Sequence, residues 1–468
     1  TAAVAVLADG DASHRAALDP AAMTELESGE ERVAMNGELL QFELTRALTV
    51  RAGRSAVAAF YIGAAPERDG ALATARHHAQ LGADELLRLA RLDLSRLARK
   101  IDNAPISALL NRNLLFAYYA GVARAIDDDR LYLVRSRSPS HGACAVFDER
   151  EALLWLLPAL TAADPFVARE ALLRSFEQYS HHPGQRTRYL DGGVIEPGLC
   201  LDQLAAYAIA LDRYVSDTND DAVLDEPLLQ DVLRELDNAL FNRLDPEHFL
   251  VATELLPSGD KADPPFVAYD NVLVWRFAEA LPRLWRRRPG DAPLRFERAG
   301  DEIAAALWQR CTVEVDGMRV IGYMSDLHGT VLVYDDPAGS LRLLPYLGFC
   351  DAEDPIWTNT MELLHSSQYP LWLGNASYPG FATRARPRTP AFAAVCADLL
   401  TPRREEAIRL LRRLELDGGV AGESYDPATG RIADGPFCAP LAGFLAWALL
   451  HEMPAPAAEA ARPERQRA

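Results

Sequence analysis

The chain has 468 residues, 49% hydrophobic and 25% charged, with a net charge of −19. That composition describes a soluble globule with a sizeable core. The acidic balance argues against nucleic acid and anionic membrane surfaces as partners, and suits a neutral ligand such as a sugar. No apolar run reaches the ~20 residues of a membrane span, and the N-terminus lacks the regions of a signal peptide, so a cytoplasmic location is expected. The six cysteines (Cys144, Cys200, Cys311, Cys350, Cys396, Cys438) are scattered, several in apolar runs. They read as small core residues and give no sign of a metal cluster or disulfide framework. No cofactor is expected.

Residues 1–66 form an N-terminal β segment in this reading. Val33–Met35, Leu39–Val50 and Ala56–Gly63 have strand character, with period-two alternation at Phe42-Glu43-Leu44-Thr45. They resemble the end of a β-sandwich. From about Asp69 the pattern turns helical. Helices are expected over 69–100, 105–127, 148–162, 165–179, 199–216, 226–243, 267–287, 295–311, 354–366, 389–400, 403–416 and 436–452. Leu201, Leu204, Ala208, Leu211 and Val215 fall on one stripe. Pro165, Pro227 and Pro355 sit at helix starts, where proline's fixed φ is tolerated. Short strands are expected at Phe249–Thr253, Arg319–Met324 and Thr330–Tyr334. Twelve helices make six hairpins, the count of an (α/α)6 barrel over 67–453. Residues 454–468, rich in Ala, Pro, Glu and Arg, read as a frayed tail.

Several segments break the amphipathic pattern. Gly418-Gly419-Val420-Ala421-Gly422-Glu423-Ser424-Tyr425 presents a carboxylate and an aromatic ring on a glycine-rich turn before a long apolar helix. Thr253-Glu254-Leu255-Leu256-Pro257-Ser258-Gly259-Asp260 presents a second carboxylate on a loop. Two carboxylates on loops of a helical barrel match the needs of glycoside hydrolysis, in which one protonates the leaving oxygen and the other activates water. Asp260 and Glu423 are the candidate catalytic pair. Arg150, Glu151, Tyr189, Asp191, Tyr269, Asp270, Asp335, Asp336 and Tyr425 are candidate sugar contacts. Carboxylates and guanidinium bind hydroxyls, and rings stack on sugar faces. Helix capping explains Asp148, Glu149 and Glu151 equally well, and for Asp202 and Asp270 capping is a sufficient reading. Arg384, Arg386 and Arg388 read as a solvated loop. The chain carries no G-x-S-x-G, H-E-x-x-H, P-loop or dinucleotide fingerprint.

Asp335-Asp336, Leu344-Pro345-Tyr346-Leu347-Gly348-Phe349 and Asp354-Pro355-Ile356-Trp357 resemble the motif of glycoside hydrolase family 125, the metal-independent exo-α-mannosidases. Gly422-Glu423-Ser424-Tyr425 is similar to that family's His-Glu-Ser-Phe segment, which supplies its general base. Leu256-Pro257-Ser258-Gly259-Asp260 resembles its Arg-Pro-Ser-Asp-Asp segment, which supplies its acid. The stretch from Phe147 through Tyr189–Gly192 to Gln203 looks more like glycogen-debranching-type α-glucosidases. The resemblance implies an (α/α)6 barrel and an inverting, metal-independent hydrolase. Its substrate would be terminal α-linked glucose or mannose on an oligosaccharide or glycoside. The chain departs from the family at Gly259, at Gly422, and at Asn375–Phe381, which replaces a Gly-Ser-Pro-His-Thr segment. The alternative is therefore a catalytically impaired sugar-binding protein on the same scaffold.

Overall fold

A computed structural model describes residues 3–8, 13–18, 23–27, 31–36, 39–45, 52–53, 59–65, 67–101, 103–125, 129–143, 145–288, 296 and 299–451. The expected tail at 454–468, Cys144, and the expected strand residues 46–50 and 56–58 lie outside the described residues. The chain divides into two compact units, Thr1–Leu97 and Ala98–Ala468.

In the first unit, six strands form two three-stranded sheets. Ala3–Ala8 pairs parallel with Met23–Glu27 and antiparallel with Phe60–Ala65. Leu39–Thr45 pairs antiparallel with Ser13–Leu18 and with Glu31–Asn36. Helices α1 (Arg68–Leu81) and α2 (Ala83–Leu97) complete the unit. The unit boundary thus falls about thirty residues beyond the expected one at 66. The reason is packing: Ala71, Leu72 and Ala75 of α1 form one core cluster with Tyr61. The helix expected over 69–100 is also two helices, interrupted at Gly82.

The second unit is an (α/α)6 barrel. Its helices are α3 (Ala104–Gly121), α4 (Leu157–Ala163), α5 (Pro165–Tyr179), α6 (Leu201–Thr218), α7 (Pro227–Phe241), α8 (Ala268–Arg287), α9 (Gly300–Arg310), α10 (Pro355–Leu364), α11 (Phe392–Asp398), α12 (Arg404–Leu411) and α13 (Ala439–Leu450). A π-helical run, Glu151–Leu156, leads directly into α4. Enclosure alternates along the chain. The α4, α6, α8, α11 and α13 helices are buried on nearly all sides, whereas α3, α5, α7, α9, α10 and α12 keep a solvent face. Between α9 and α10 the inner position is taken by a short 3-10 turn, Leu341–Leu343. Dense apolar sequence makes the inner ring: α13 buries Leu441, Phe444, Leu445, Ala448 and Leu449. Among the described residues, no helix is long and apolar enough to cross a membrane.

Short two-stranded pairs lie between the helices, including Val146–Phe147 with the distant Arg188–Tyr189 and the hairpin of Ser424–Tyr425 with Ile432–Asp434. The expected strand Arg319–Met324 overlaps two strands, Met318–Ile321 and Met324–Ser325, and Thr330–Tyr334 contains Val331–Leu332. Phe249–Thr253 is not a strand; it makes a single bridge from Val251 to Leu244.

Candidate active site

Loops and inner-helix starts of the barrel surround a cavity of about 230 Å³. Glu423, Ser424 and Cys438 line one side; Arg135, Arg150, Glu151, Trp155 and Arg186 line another; Pro257, Ser258, Asp336 and Ala338 line a third. Glu423 owes its position to backbone bonds. Its N–H donates to the carbonyls of Asp434 and Gly435, both at 3.1 Å, and its carbonyl accepts from Phe392 N–H at 2.8 Å. The side chain is 36% exposed, and its Oε1 lies 3.9 Å from Nε2 of the buried His141.

The π-helical start carries the cationic wall. Asp148 caps it by accepting the Glu151 N–H at 3.0 Å. Arg150 is 1% exposed and bridges Asp202 (2.9 Å) and Glu151 (3.4 Å). Its guanidinium also donates to the Ala338 carbonyl at 3.1 Å and lies over the Trp155 ring at 4.2 Å. Arg135 pairs with Glu151 at 2.9 Å. Burial alone would raise Glu151, but Arg135 and Arg150 hold it below the usual carboxylate range. Burial raises Asp148, with the Glu151 charge adding to it, and raises Asp202 to about 6 against the pull of Arg150.

Asp336 is fully buried and accepts from the N–H groups of Ser258 and Ala338, each at 3.0 Å. Burial still raises its proton affinity. Asp270 lies deeper, and neither of its oxygens has a hydrogen-bond partner. Burial, then the charges of Asp202 and Asp336, raise its proton affinity well above the usual carboxylate range.

The structure thus brings Glu423, Arg150, Glu151 and Asp336 together on one cavity. The other expected site residues stand away from its lining. Asp260 is exposed on the neighbouring loop, with Ser258 Oγ 3.4 Å from its carboxylate. Tyr189 is 56% exposed on a hairpin, and Asp191 in the adjoining turn accepts from Gly193 N–H at 2.9 Å. Tyr269 is buried against Gly339, and Asp270 is buried with it at the start of α8. Asp335 is buried against Arg342 at 2.6 Å and also accepts from Ser340 Oγ and Leu341 N–H. The buried Tyr425 donates its hydroxyl to the Pro379 carbonyl at 2.8 Å.

Sequence reasoning gave no site role to Arg135, Trp155, Arg186, Arg386, His141 or Cys438, although the segment Ser138-Pro139-Ser140-His141 breaks the amphipathic pattern. Arg386, read as part of a solvated loop, lines the cavity and pairs with Asp434 at 2.9 Å. Arg186 is the most consequential of them. A Cβ placed on Gly259 would lie 1.3 Å from its Nη1, and Gly259 has φ +90°. A guanidinium therefore fills the space that a side chain at 259 would enter, and glycine is the residue that accepts that backbone conformation.

Residues 236–414 match the family model of the metal-independent alpha-mannosidases of glycoside hydrolase family 125. None of the curated proteins compared matches the chain in sequence. Among solved structures, the chain resembles a metal-independent alpha-mannosidase of Streptococcus pneumoniae in complex with alpha-1,6-mannobiose. The TM-score is 0.67 at 15% identity, covering 79% of this chain and 98% of that one. It also resembles a bacterial glucoamylase complexed with acarbose, with a TM-score of 0.61 at 11% identity, and spans 88% of this chain and 64% of the glucoamylase. The glucoamylase of Saccharomycopsis fibuligera gives 0.56 at 11% identity, over 75% of this chain and 96% of that one.

Proposed function

We propose that the chain is an inverting, exo-acting α-glycosidase that needs no metal and removes terminal α-linked glucose or mannose from an oligosaccharide or glycoside. Glu423 acts as the general base. The observation that carries the reading is its placement: a part-exposed carboxylate, fixed by three backbone hydrogen bonds, opens into a cavity walled by Arg150, Glu151 and Asp336. The similarity to α-mannosidases and glucoamylases supports the substrate class. In this reading Arg150 and Glu151 hold sugar hydroxyls, and Trp155 offers an apolar face.

Inversion requires an acid across the sugar from the base. The family-like assignment is Asp260. A second assignment is favoured by one observation: Asp336, not Asp260, lines the cavity, and burial raises its proton affinity, as a general acid needs. A panel of aryl α-glycosides and α-linked disaccharides, read by proton NMR of the fresh anomer, tests the function. Release of β-sugar supports it. Loss of turnover in Glu423→Gln, together with loss in either Asp260→Asn or Asp336→Asn, assigns the pair; full activity in Glu423→Gln rejects the base.

The alternative is a sugar-binding protein that does not turn over. The Arg186 guanidinium at Gly259 favours it, because the family-like acid segment lacks one aspartate and the space is occupied. Calorimetric binding of a sugar, with no hydrolysis of any substrate in the panel, would establish that reading.

A further inference from the structure

His141, Glu423 and Cys438 each offer one ligand atom, and these atoms lie within 4.8 Å of one another. They come from three distant segments: the turn after strand Leu131–Leu133, the glycine-rich loop, and the residue that opens α13. The imidazole is 3% exposed and its Nε2 has no hydrogen-bond partner. Its Nδ1 lies 3.0 Å from the Pro436 carbonyl, so Nδ1 carries the proton and donates, leaving the Nε2 lone pair aimed at Glu423. A backbone carbonyl that fixes the tautomer from behind is the usual support of a metal-binding histidine. Cys438 and Glu423 line the cavity, which gives an entry path from solvent.

We propose that this trio is a binding site for a thiophilic divalent cation of the zinc type, and that occupancy switches off the Glu423 base. The switching-off rests on the base role proposed above; the binding does not. Imidazole, thiolate and carboxylate suit zinc, whose three-ligand sites leave a fourth position for water. Tetrahedral zinc with bonds of 2.0–2.3 Å sets its ligands roughly 3.3–3.6 Å apart. The observed 3.9 Å from His141 to Glu423 therefore needs a closure of about half an ångström and the full 4.8 Å spread of the trio about one ångström, which the part-exposed Glu423 side chain makes by moving in. Local charge permits a dication. Of the guanidinium groups on the cavity, Arg135 is paired with Glu151, Arg150 with Asp202, Arg186 with Glu196 and Arg386 with Asp434, and Glu423 remains as the anion. On binding, the Cys438 S–H bond breaks, a sulfur–metal bond forms, and the proton leaves to solvent. The metal then occupies the carboxylate that would activate water. The protein is thus metal-independent in turnover and metal-sensitive in regulation.

The probe is Co²⁺ and Zn²⁺ titrated into the full chain. Cobalt should give one equivalent of thiolate-to-metal charge-transfer absorption in the wild type, and none in Cys438→Ser. Zinc affinity by calorimetry should fall at least about tenfold in Cys438→Ser and in His141→Gln. Zinc should slow wild-type hydrolysis, and slow each variant less when each is compared with its own metal-free rate. Absence of the thiolate band in the wild type, a reading that needs no variant, overturns the site. So does unchanged zinc affinity in both variants. A Cys438-dependent band in a protein that hydrolyses no glycoside keeps the site and rejects the glycosidase reading; hydrolysis without the band does the reverse.

Discussion

Replacing Gly435 by alanine tests Glu423 without altering its carboxyl group. A Cβ at 435 would lie 2.3 Å from Glu423 Cγ, 2.4 Å from Cδ and 2.8 Å from Oε2. Ordinary carbon contacts are about 3.5–4.0 Å, so the carboxylate must move by roughly 1 Å. The backbone cannot absorb the clash by separating, because Glu423 N–H is bonded to the carbonyls of both Asp434 and Gly435. A misplacement of that size costs about a hundredfold in rate, or ~2.7 kcal/mol at the barrier. Gly435 has φ +52°, so alanine there also costs about 1–2 kcal/mol of folding stability. The assay is kcat and KM on the substrate found by the glycoside panel, alongside a thermal melt. The expected result is a kcat about a hundredfold lower, with a melting temperature lower by only a few degrees. A folded Gly435→Ala protein with wild-type kcat would refute the claim that the position of the Glu423 carboxylate governs the reaction.

Three further outcomes follow from named contacts. Gly259→Asp should destabilise the protein, and less so in an Arg186→Ala background; a double-mutant coupling below about 0.5 kcal/mol in thermal or denaturant melts would show that Arg186 does not occupy that space. Asp335→Ala removes one of the two carboxylates on the buried Arg342 guanidinium, leaving Asp398 at 3.0 Å, and should cost about 1.5–3 kcal/mol in a denaturant melt, with KM of the folded enzyme unchanged because Asp335 does not line the cavity. Burial, with the charges of Arg342 and Arg403, lowers His365 to about 3. Below its unfolded value of ~6.5 the unfolded chain binds a proton that the native state does not, so stability falls as pH falls. The loss should reach about 2 kcal/mol by pH 5, and the acid limb of the stability curve should flatten in His365→Phe; an unchanged limb would exclude His365 as its source.

The helical series was readable because its signals are local. Asp164 caps α5 by accepting from the N–H groups of Phe166 and Val167, Pro165 occupies the first turn, and the helix spans the expected 165–179. The misjudged features depend on distant partners. The strands before residue 31 show no alternation strong enough to announce them, and their pairing is long-range. The pairing of Val146–Phe147 with Arg188–Tyr189 joins segments with α4 and α5 between them, so no turn signal marks it. The count of twelve helices included 69–100, whose two helices belong to the first unit, and between α9 and α10 the barrel has the short turn Leu341–Leu343 instead of a helix.

The site shows the same division, with an added cause inside its motifs. Glu423 was legible because the glycines just before it advertise a loop that presents one polar side chain. Arg186 and the His141–Cys438 pair were not, since each gains meaning only from a residue far away in sequence. The motif pairs failed for a different reason. In extended backbone, successive side chains point to opposite sides. Asp336 therefore meets the cavity and Ser258, while its neighbour Asp335 turns to Arg342 and Ser340. Ser424 lines the cavity beside Glu423, and an irregularity in the strand pairing at Ser424/Tyr425 accompanies the turn of Tyr425 to the Pro379 carbonyl. A contiguous motif on a strand-like segment thus mixes residues that face a substrate with residues that hold the wall in place. The second kind should affect melting temperature and the first kinetics, so alanine scanning of these two dipeptides separates the roles one residue apart.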